Sequence, residues 1–184
     1  MNNAKFKQDL VDTIPRLRAF ARSISGDRDR ADDLVQETLA KAIANKDKFT
    51  EGTNLTAWLI TILRNQYYSV GRKMKREVAD PDGEHAAMLE SKPQQSGHLE
   101  LRDFLSALQV LPDDQREALI LIGASGFSYD EAAEILGVKT GTVKSRVSRA
   151  RLRLEELMDG HETFERSDDA AAESASMIRE ALSV

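Results

Sequence analysis

The sequence predicts an all-α protein: two small helical domains joined by a flexible linker, the second containing a helix-turn-helix. Three observations carry this. Apolar residues recur at three- and four-residue spacing, and no segment sustains period-two alternation. The composition suits helices, with 41% hydrophobic, 31% charged and only 5% aromatic residues. The periodicity lapses at 78–100, where Asp80-Pro81-Asp82-Gly83, Lys92-Pro93 and Ser96-Gly97 mark a linker. The domains are therefore expected at 1–77 and 101–160. An acidic tail rich in Ala and Ser follows at 161–184 and is expected to be mobile.

In the first domain, Phe6, Leu10, Ile14, Leu17, Phe20, Ala21 and Ile24 form one helical stripe. Pro15 lies inside it, which predicts a kink or a fresh helix start. Ser25-Gly26 closes the segment, and Asp27 caps a second helix with Ala31, Leu34, Val35, Thr38, Ala42 and Ile43 inward. A loop at 49–53 leads into a third helix from about Asn54, with Leu55, Trp58, Leu59, Ile62 and Leu63 inward. In the second domain, Leu101, Phe104, Leu105 and Leu108 share a face, and Pro112-Asp113 starts the next helix. Ser128 and Glu131 have the spacing of a capping box for a short helix carrying Ala132, Ala133, Ile135 and Leu136. Gly137-Val138 makes a turn, and Thr140 is expected to cap a last helix ending near Met158.

The absence of cysteine excludes disulfide frameworks, thiol catalysis, Cys-ligated zinc and iron–sulfur clusters. His85, His98 and His161 have no metal-ligand spacing. No metal, cofactor or enzymatic activity is expected. No apolar run approaches the ~20 residues that span a bilayer. The N-terminus has no apolar signal core, so a cytoplasmic protein without membrane contacts is expected.

A net charge of −5 would normally argue against nucleic acid, but the arrangement reverses this. Residues 1–77 carry 15 basic and 10 acidic residues, whereas the linker and the tail are each net −4. Two acid-free basic stretches stand out. Arg64, Arg72, Lys73, Lys75 and Arg76 fall within 64–76, and Lys139, Lys144, Arg146, Arg149, Arg151 and Arg153 within 139–153.

A short helix with Ala-Ala, a Gly turn and a basic helix is the helix-turn-helix pattern. At ~100° per residue, Val143, Val147, Ala150 and Leu154 form the inward stripe of the last helix. Thr142, Ser145, Arg146, Arg149 and Arg153 lie on one flank of it, and Lys144, Ser148 and Arg151 on the other. Arginine bonds a guanine edge at two points, while Ser and Thr reach phosphates without blocking approach. Leu152 lies nearly opposite the inward stripe, and nothing in the pattern explains it. Trp58 reads as a core residue. Arg64, Asn65, Arg72 and Lys73 fit a solvated face and a DNA contact equally well.

Several separated motifs resemble the bacterial sigma-70 family over residues 5–158, in its order and spacing. Asp32-Asp33-Leu34-Val35-Gln36-Glu37-Thr38-Leu39 resembles its core-polymerase-binding signature. Asn54-Leu55-Thr56-Ala57-Trp58-Leu59 and Ile62-Leu63-Arg64-Asn65 resemble its promoter-melting segment. Leu111-Pro112-Asp113-Asp114-Gln115-Arg116-Glu117-Ala118 and residues 127–151 resemble its C-terminal promoter-reading domain. Two domains with only a short linker match the extracytoplasmic-function, or group-four, branch. Segments 25–33 and 123–129 look like its general-stress-response type.

The resemblance implies a set of roles. Asp32, Asp33, Gln36 and Glu37 would meet the β′ clamp of core RNA polymerase, and the second domain would meet the β flap. Asn54, Arg64, Asn65, Tyr68, Arg72 and Lys73 would bind the −10 promoter element, where the loop before the third helix captures a flipped base. Thr142, Lys144, Ser145, Arg146, Arg149 and Arg153 would read the −35 element. An anti-sigma factor would hold the two domains closed. Two rivals differ in class. A sigma-like decoy would keep the anti-sigma surface without DNA or polymerase contacts, and an ordinary helix-turn-helix regulator would bind duplex operator without polymerase.

Overall fold

The structure is a computed structural model that describes residues 3–77 and 96–158, with the backbone alone at 3, 72–77 and 96–102. Residues 78–95 of the expected linker at 78–100, the tail at 161–184 and the side chains of Leu101, Arg72 and Lys73 lie outside the described residues, and 96–100 are helical rather than linker.

The described residues form seven α-helices: α1 (Asn3–Ser25), α2 (Arg28–Ala44), α3 (Leu55–Glu77), α4 (Ser96–Val110), α5 (Asp113–Gly123), α6 (Tyr129–Leu136) and α7 (Thr140–Met158). A single 3-10 turn (Lys46–Lys48) follows α2. The described residues contain no strand, and no helix among them is long and apolar enough to cross a membrane.

Local chemistry explains the helix boundaries. Gly26, at φ 68°, ends α1 in the left-handed region that glycine enters without a Cβ penalty. Its N–H bonds the Arg22 carbonyl at 2.9 Å. Asp27 then accepts the Arg30 N–H at 2.7 Å and caps α2 as the sequence predicts. Asn54 caps α3 by accepting the Ala57 N–H at 3.1 Å. At α6 both halves of the capping box are made: Glu131 N–H to Ser128 Oγ at 3.2 Å, and Ser128 N–H to Glu131 Oε2 at 2.9 Å.

Three local expectations need correction. Helix α1 runs unbroken through Pro15, with no fresh start. Pro15 and Val11, whose carbonyl Pro15 cannot serve, both lie on the exposed side, so that carbonyl is not sealed from solvent. Thr140 does not cap α7. The Lys139 carbonyl accepts the Val143 N–H, while the Thr140 hydroxyl donates to Asp130 at 2.7 Å and ties α7 to α6. Ile43 is half exposed rather than inward, because the apolar stripe of α2 already closes on Ala42.

Helices α1–α3 pack mutually around Leu17, Phe20, Leu59 and Leu63, and α4–α7 pack around Leu108, Ile120, Leu121, Val143 and Val147. The two groups also pack on each other: α1 meets α4 and α5, and α3 meets α6. The buried apolar residues form one cluster across both groups. Ile60, which the sequence pattern leaves outside the core stripe, is fully buried. Ile60, Arg64 and Tyr68 repeat every four residues along the side of α3 turned to the second group.

Side chains from the second group complete the end of α1. Gln109 Nε2 donates to the Ser23 carbonyl at 3.1 Å, and an Arg116 terminal nitrogen donates to the Ile24 carbonyl at 3.4 Å. These are terminal helix carbonyls with no partner inside α1. Arg116 also bonds the Gln109 carbonyl, Gln109 Oε1 and Asp113, so its charge is buried but shared among several acceptors.

Candidate polymerase and nucleic-acid interface

On α2, Asp33, Gln36 and Glu37 point outward together, opposite the buried residues Ala31, Leu34, Val35 and Thr38. Asp32 sits at the edge of this face and pairs with Arg18 of α1 at 2.6 Å. The face is a short ridge of acid and amide groups, suited to a cationic or amide-rich helical partner.

On α7, Val143, Val147, Ala150 and Leu154 are buried as predicted, which turns both cationic flanks outward. Lys144, Ser145, Arg149 and Arg153 are exposed. Their bonds are mostly local. Ser145 Oγ donates to the Thr142 carbonyl at 2.9 Å, Arg149 Nε to the Ser145 carbonyl at 3.2 Å, and Arg153 pairs with Glu156 at 2.7 Å. Lys144 Nζ lies 5.7 Å from the centre of the Tyr129 ring. Arg146 differs: it pairs with Asp114 of α5 at 3.0 Å and is mostly covered. Leu152 is 58% exposed on the same helix, and nothing in the structure explains it.

The side chains of α3 and the loop before it are in a different condition. Arg64 Nε lies 2.7 Å from Glu117 Oε1, a close but angled ion contact, and its guanidinium stands over the Tyr68 ring at 5.2 Å. Tyr68 Oη donates to the other oxygen of Glu117 at 3.3 Å. Glu117 is 1% exposed. Burial pushes its carboxyl above the ordinary range, and the neighbouring Arg64 pulls it back. Burial and then the charge of Glu117 push the Tyr68 hydroxyl upward too. Asn54 Nδ2 donates to Glu131 Oε1 at 3.1 Å, and the Ser128 backbone N–H holds that carboxyl below its usual range. Asn65 is exposed. Two carboxylates of the second helical group therefore hold three of the four described side chains expected to contact the −10 element.

The loop at 49–53 is fixed by aromatic packing. The Phe49 ring lies 6.2 Å from Phe6 and 5.3 Å from Trp58. Trp58 is thus a packing residue, as its helical spacing predicts. An open cleft of about 260 Å³ lies between this loop and α1, with Asp9, Asp12, Thr13 and Thr53 among its lining. Sequence reasoning missed the burial of Arg116 and Glu117. Adjacent charges next to the apolar run 118–122 are a faint signal, and Ile24, which Arg116 meets, and Arg64 and Tyr68, which Glu117 meets, lie far away in the sequence.

Comparison with known proteins gives a consistent result. Residues 10–77 match Sigma-70 region 2, and residues 101–154 match Sigma-70, region 4. The ECF RNA polymerase sigma factor EcfG of Rhodopseudomonas palustris is 56% identical over 168 residues, covering 90% of this chain and 93% of that protein. SigM, an ECF sigma factor of Bacillus subtilis, is 31% identical, over 75% of this chain and 85% of its own length. Among solved structures, the sigma factor RpoE in complex with the anti-sigma factor NepR from Bartonella quintana superimposes with a TM-score of 0.77. It is 56% identical, and the match covers 86% of this chain and 99% of that one. The ordered pair of regions, with one helix presenting acid and amide groups and another presenting cations, belongs to a protein that joins polymerase to a promoter. This chain is a member of the sigma-70 family, in its extracytoplasmic-function branch.

Proposed function

We propose that this sigma factor docks on core RNA polymerase through the outward side of α2 and directs it to promoters of the general stress response. Asp33, Gln36 and Glu37, with Asp32 at their edge, meet the β′ clamp, and the second domain meets the β flap. Asn54, Arg64, Asn65, Tyr68, Arg72 and Lys73 engage the −10 element, with the cleft beside Phe49 receiving a base taken out of the stack. Thr142, Lys144, Ser145, Arg146, Arg149 and Arg153 read the −35 element. Domain limits of 1–77 and 101–160 go with these roles, with α4 already begun at Ser96. The observation that carries the reading is the set of exposed, locally bonded cations on α7, set behind an intact helix-turn-helix core.

Polymerase tethers both domains, so two weak DNA contacts combine through effective concentration. An anti-sigma factor of the kind bound to the Bartonella quintana protein is the regulatory partner. It binds the two domains in their closed arrangement and withholds both DNA faces. The protein acts in the cytoplasm and carries out no chemistry of its own.

Run-off transcription tests this. Purified chain with core polymerase on a stress promoter should give a defined transcript, suppressed by the anti-sigma factor. Core polymerase without transcript in the presence of the chain would reject the reading in favour of a decoy or an ordinary DNA-binding regulator.

A further inference from the structure

The outward side of α7 carries a residue that a reader of bases does not need. Opposite the buried stripe, Ser145, Ser148 and Leu152 form one exposed row, with Lys144 and Arg151 on one side of it and Arg149 and Arg153 on the other. Leu152 is 58% exposed and lies about 18 Å along the axis from the start of the helix at Thr140. A recognition helix meets base edges with its N-terminal residues, so Leu152 stands beyond that part. An apolar side chain ringed by cations fits a partner that is anionic and apolar at once. The sequence next to α7 has this character. Residues 161–184 hold six acids, Glu162, Glu165, Asp168, Asp169, Glu173 and Glu180, against Arg166 and Arg179. Met177, Ile178, Ala181 and Leu182 recur there at helical spacing. Helix α7 ends at Met158, so about five extended residues are enough to lead back from 161 to the level of Leu152.

From this complementarity we infer that the acidic segment 161–184 docks in cis on the outward side of α7, with carboxylates on Lys144, Arg149 and Arg151 and apolar side chains on Leu152, and competes there with duplex DNA. The competition rests on assigning α7 to the −35 element. Each exposed ion pair is weak and screened by salt. Tethering offsets this, because a segment joined directly to the helix stays at a high effective concentration. Duplex DNA carries a denser line of charge, about one per 1.7 Å of axis, and displaces the segment where base contacts add to charge. Duplex of unrelated sequence offers charge alone and is held off. Apparent affinity for such duplex falls by the fraction of chains whose α7 is uncovered. The segment thus sharpens promoter choice without touching a base.

The sequence has no cysteine, so a nitroxide at Ser176→Cys labels the segment alone in the full chain. It should broaden the amide signals of Ser145, Ser148 and Leu152. The broadening should fall away in a neutralised chain carrying Glu162→Gln, Glu165→Gln, Asp168→Asn, Asp169→Asn and Glu173→Gln. Equal broadening in the two chains would overturn the docking. Broadening passed from a nitroxide-labelled chain to a separate isotope-labelled one would put a second copy's segment on α7 and overturn the arrangement in cis. The neutralised chain should also bind a short duplex of random sequence about threefold more tightly, as α7 is uncovered. Net charge alone predicts some gain, so Leu152→Ala supplies the check at constant charge. Leu152 is exposed, so its truncation leaves the core intact. It should tighten duplex binding about twofold in the parent and have no effect in the neutralised chain. The same effect in both backgrounds would overturn the competition. Adding Arg149→Ala to the neutralised chain judges the −35 assignment separately. Undiminished binding to a −35 duplex there removes Arg149 from the DNA contacts, while the broadening still decides the docking.

Discussion

The cationic side of α7 and the polar side of α3 use the same residue types and end in opposite conditions. On α7, Ser145, Arg149 and Arg153 bond within their own helix and face solvent. On α3, Arg64 and Tyr68 close on a carboxylate that is 1% exposed. The difference lies in what stands opposite. The apolar stripe of α7 is used up inside its own domain, so its flanks, Arg146 apart, stay open to solvent. Helix α3 has a further buried apolar position, Ile60, one turn before Arg64, and Glu117 of the second domain covers Arg64 and Tyr68. A DNA-binding surface can thus be stored shut or open without changing its composition, depending on whether an apolar residue accompanies it.

Variants can break this contrast, beginning with the most damaging. Arg116→Ala removes the donor shared by Ile24, Gln109 and Asp113 and leaves buried carbonyls unsatisfied. Stability in urea should fall by about 3 kcal/mol. The α7 side should respond in the opposite manner: Arg149→Ala should cost about 2 kcal/mol on duplex −35 DNA and leave both urea stability and domain distance unchanged. Equal losses on every duplex sequence would make Arg149 a phosphate contact instead. Gly26→Ala is subtler. A Cβ there would lie 2.9 Å from Gln109 Oε1, in a left-handed turn, so closure should weaken by about 1 kcal/mol in thermal unfolding.

The two carboxylates that hold Arg64, Tyr68 and Asn54 should give the smallest effects, with opposite signs. The raised Glu117 stabilises the folded chain below its ordinary 4.5, and this contribution is lost as pH rises through the raised value. The lowered Glu131 contributes above 4.5 and is lost as pH falls through the lowered value. Urea titrations across pH should show Glu117→Gln losing the decline toward neutral pH and Glu131→Gln losing the decline toward acid. Both variants losing the same limb would contradict the assignment.

What the sequence made legible was local. Asp27, the Ser128–Glu131 box and the stripe Val143, Val147, Ala150, Leu154 are short-range patterns, and the structure bears them out because their partners lie within a few residues. The exceptions among caps and stripes are equally local in origin: Thr140 finds Asp130 ten residues back, and Ile43 falls just past a stripe already complete at Ala42. The contacts between domains were not legible. Glu117 meets Arg64 and Tyr68, and Arg116 meets Ile24, across stretches that no helical period links. Charge counting by segment identified the two basic stretches but could not say that an acid from one domain sits against a cation of the other. Hence the α7 side was readable almost completely, whereas for Asn54, Arg64 and Tyr68 the occupied state emerged only in three dimensions.

The most direct measurement is run-off transcription from a stress promoter with core RNA polymerase, comparing the parent chain with Arg149→Ala. The account predicts a defined transcript with the parent and a weaker one with the variant. No transcript from the parent, or one that Arg149→Ala leaves undiminished, would contradict it.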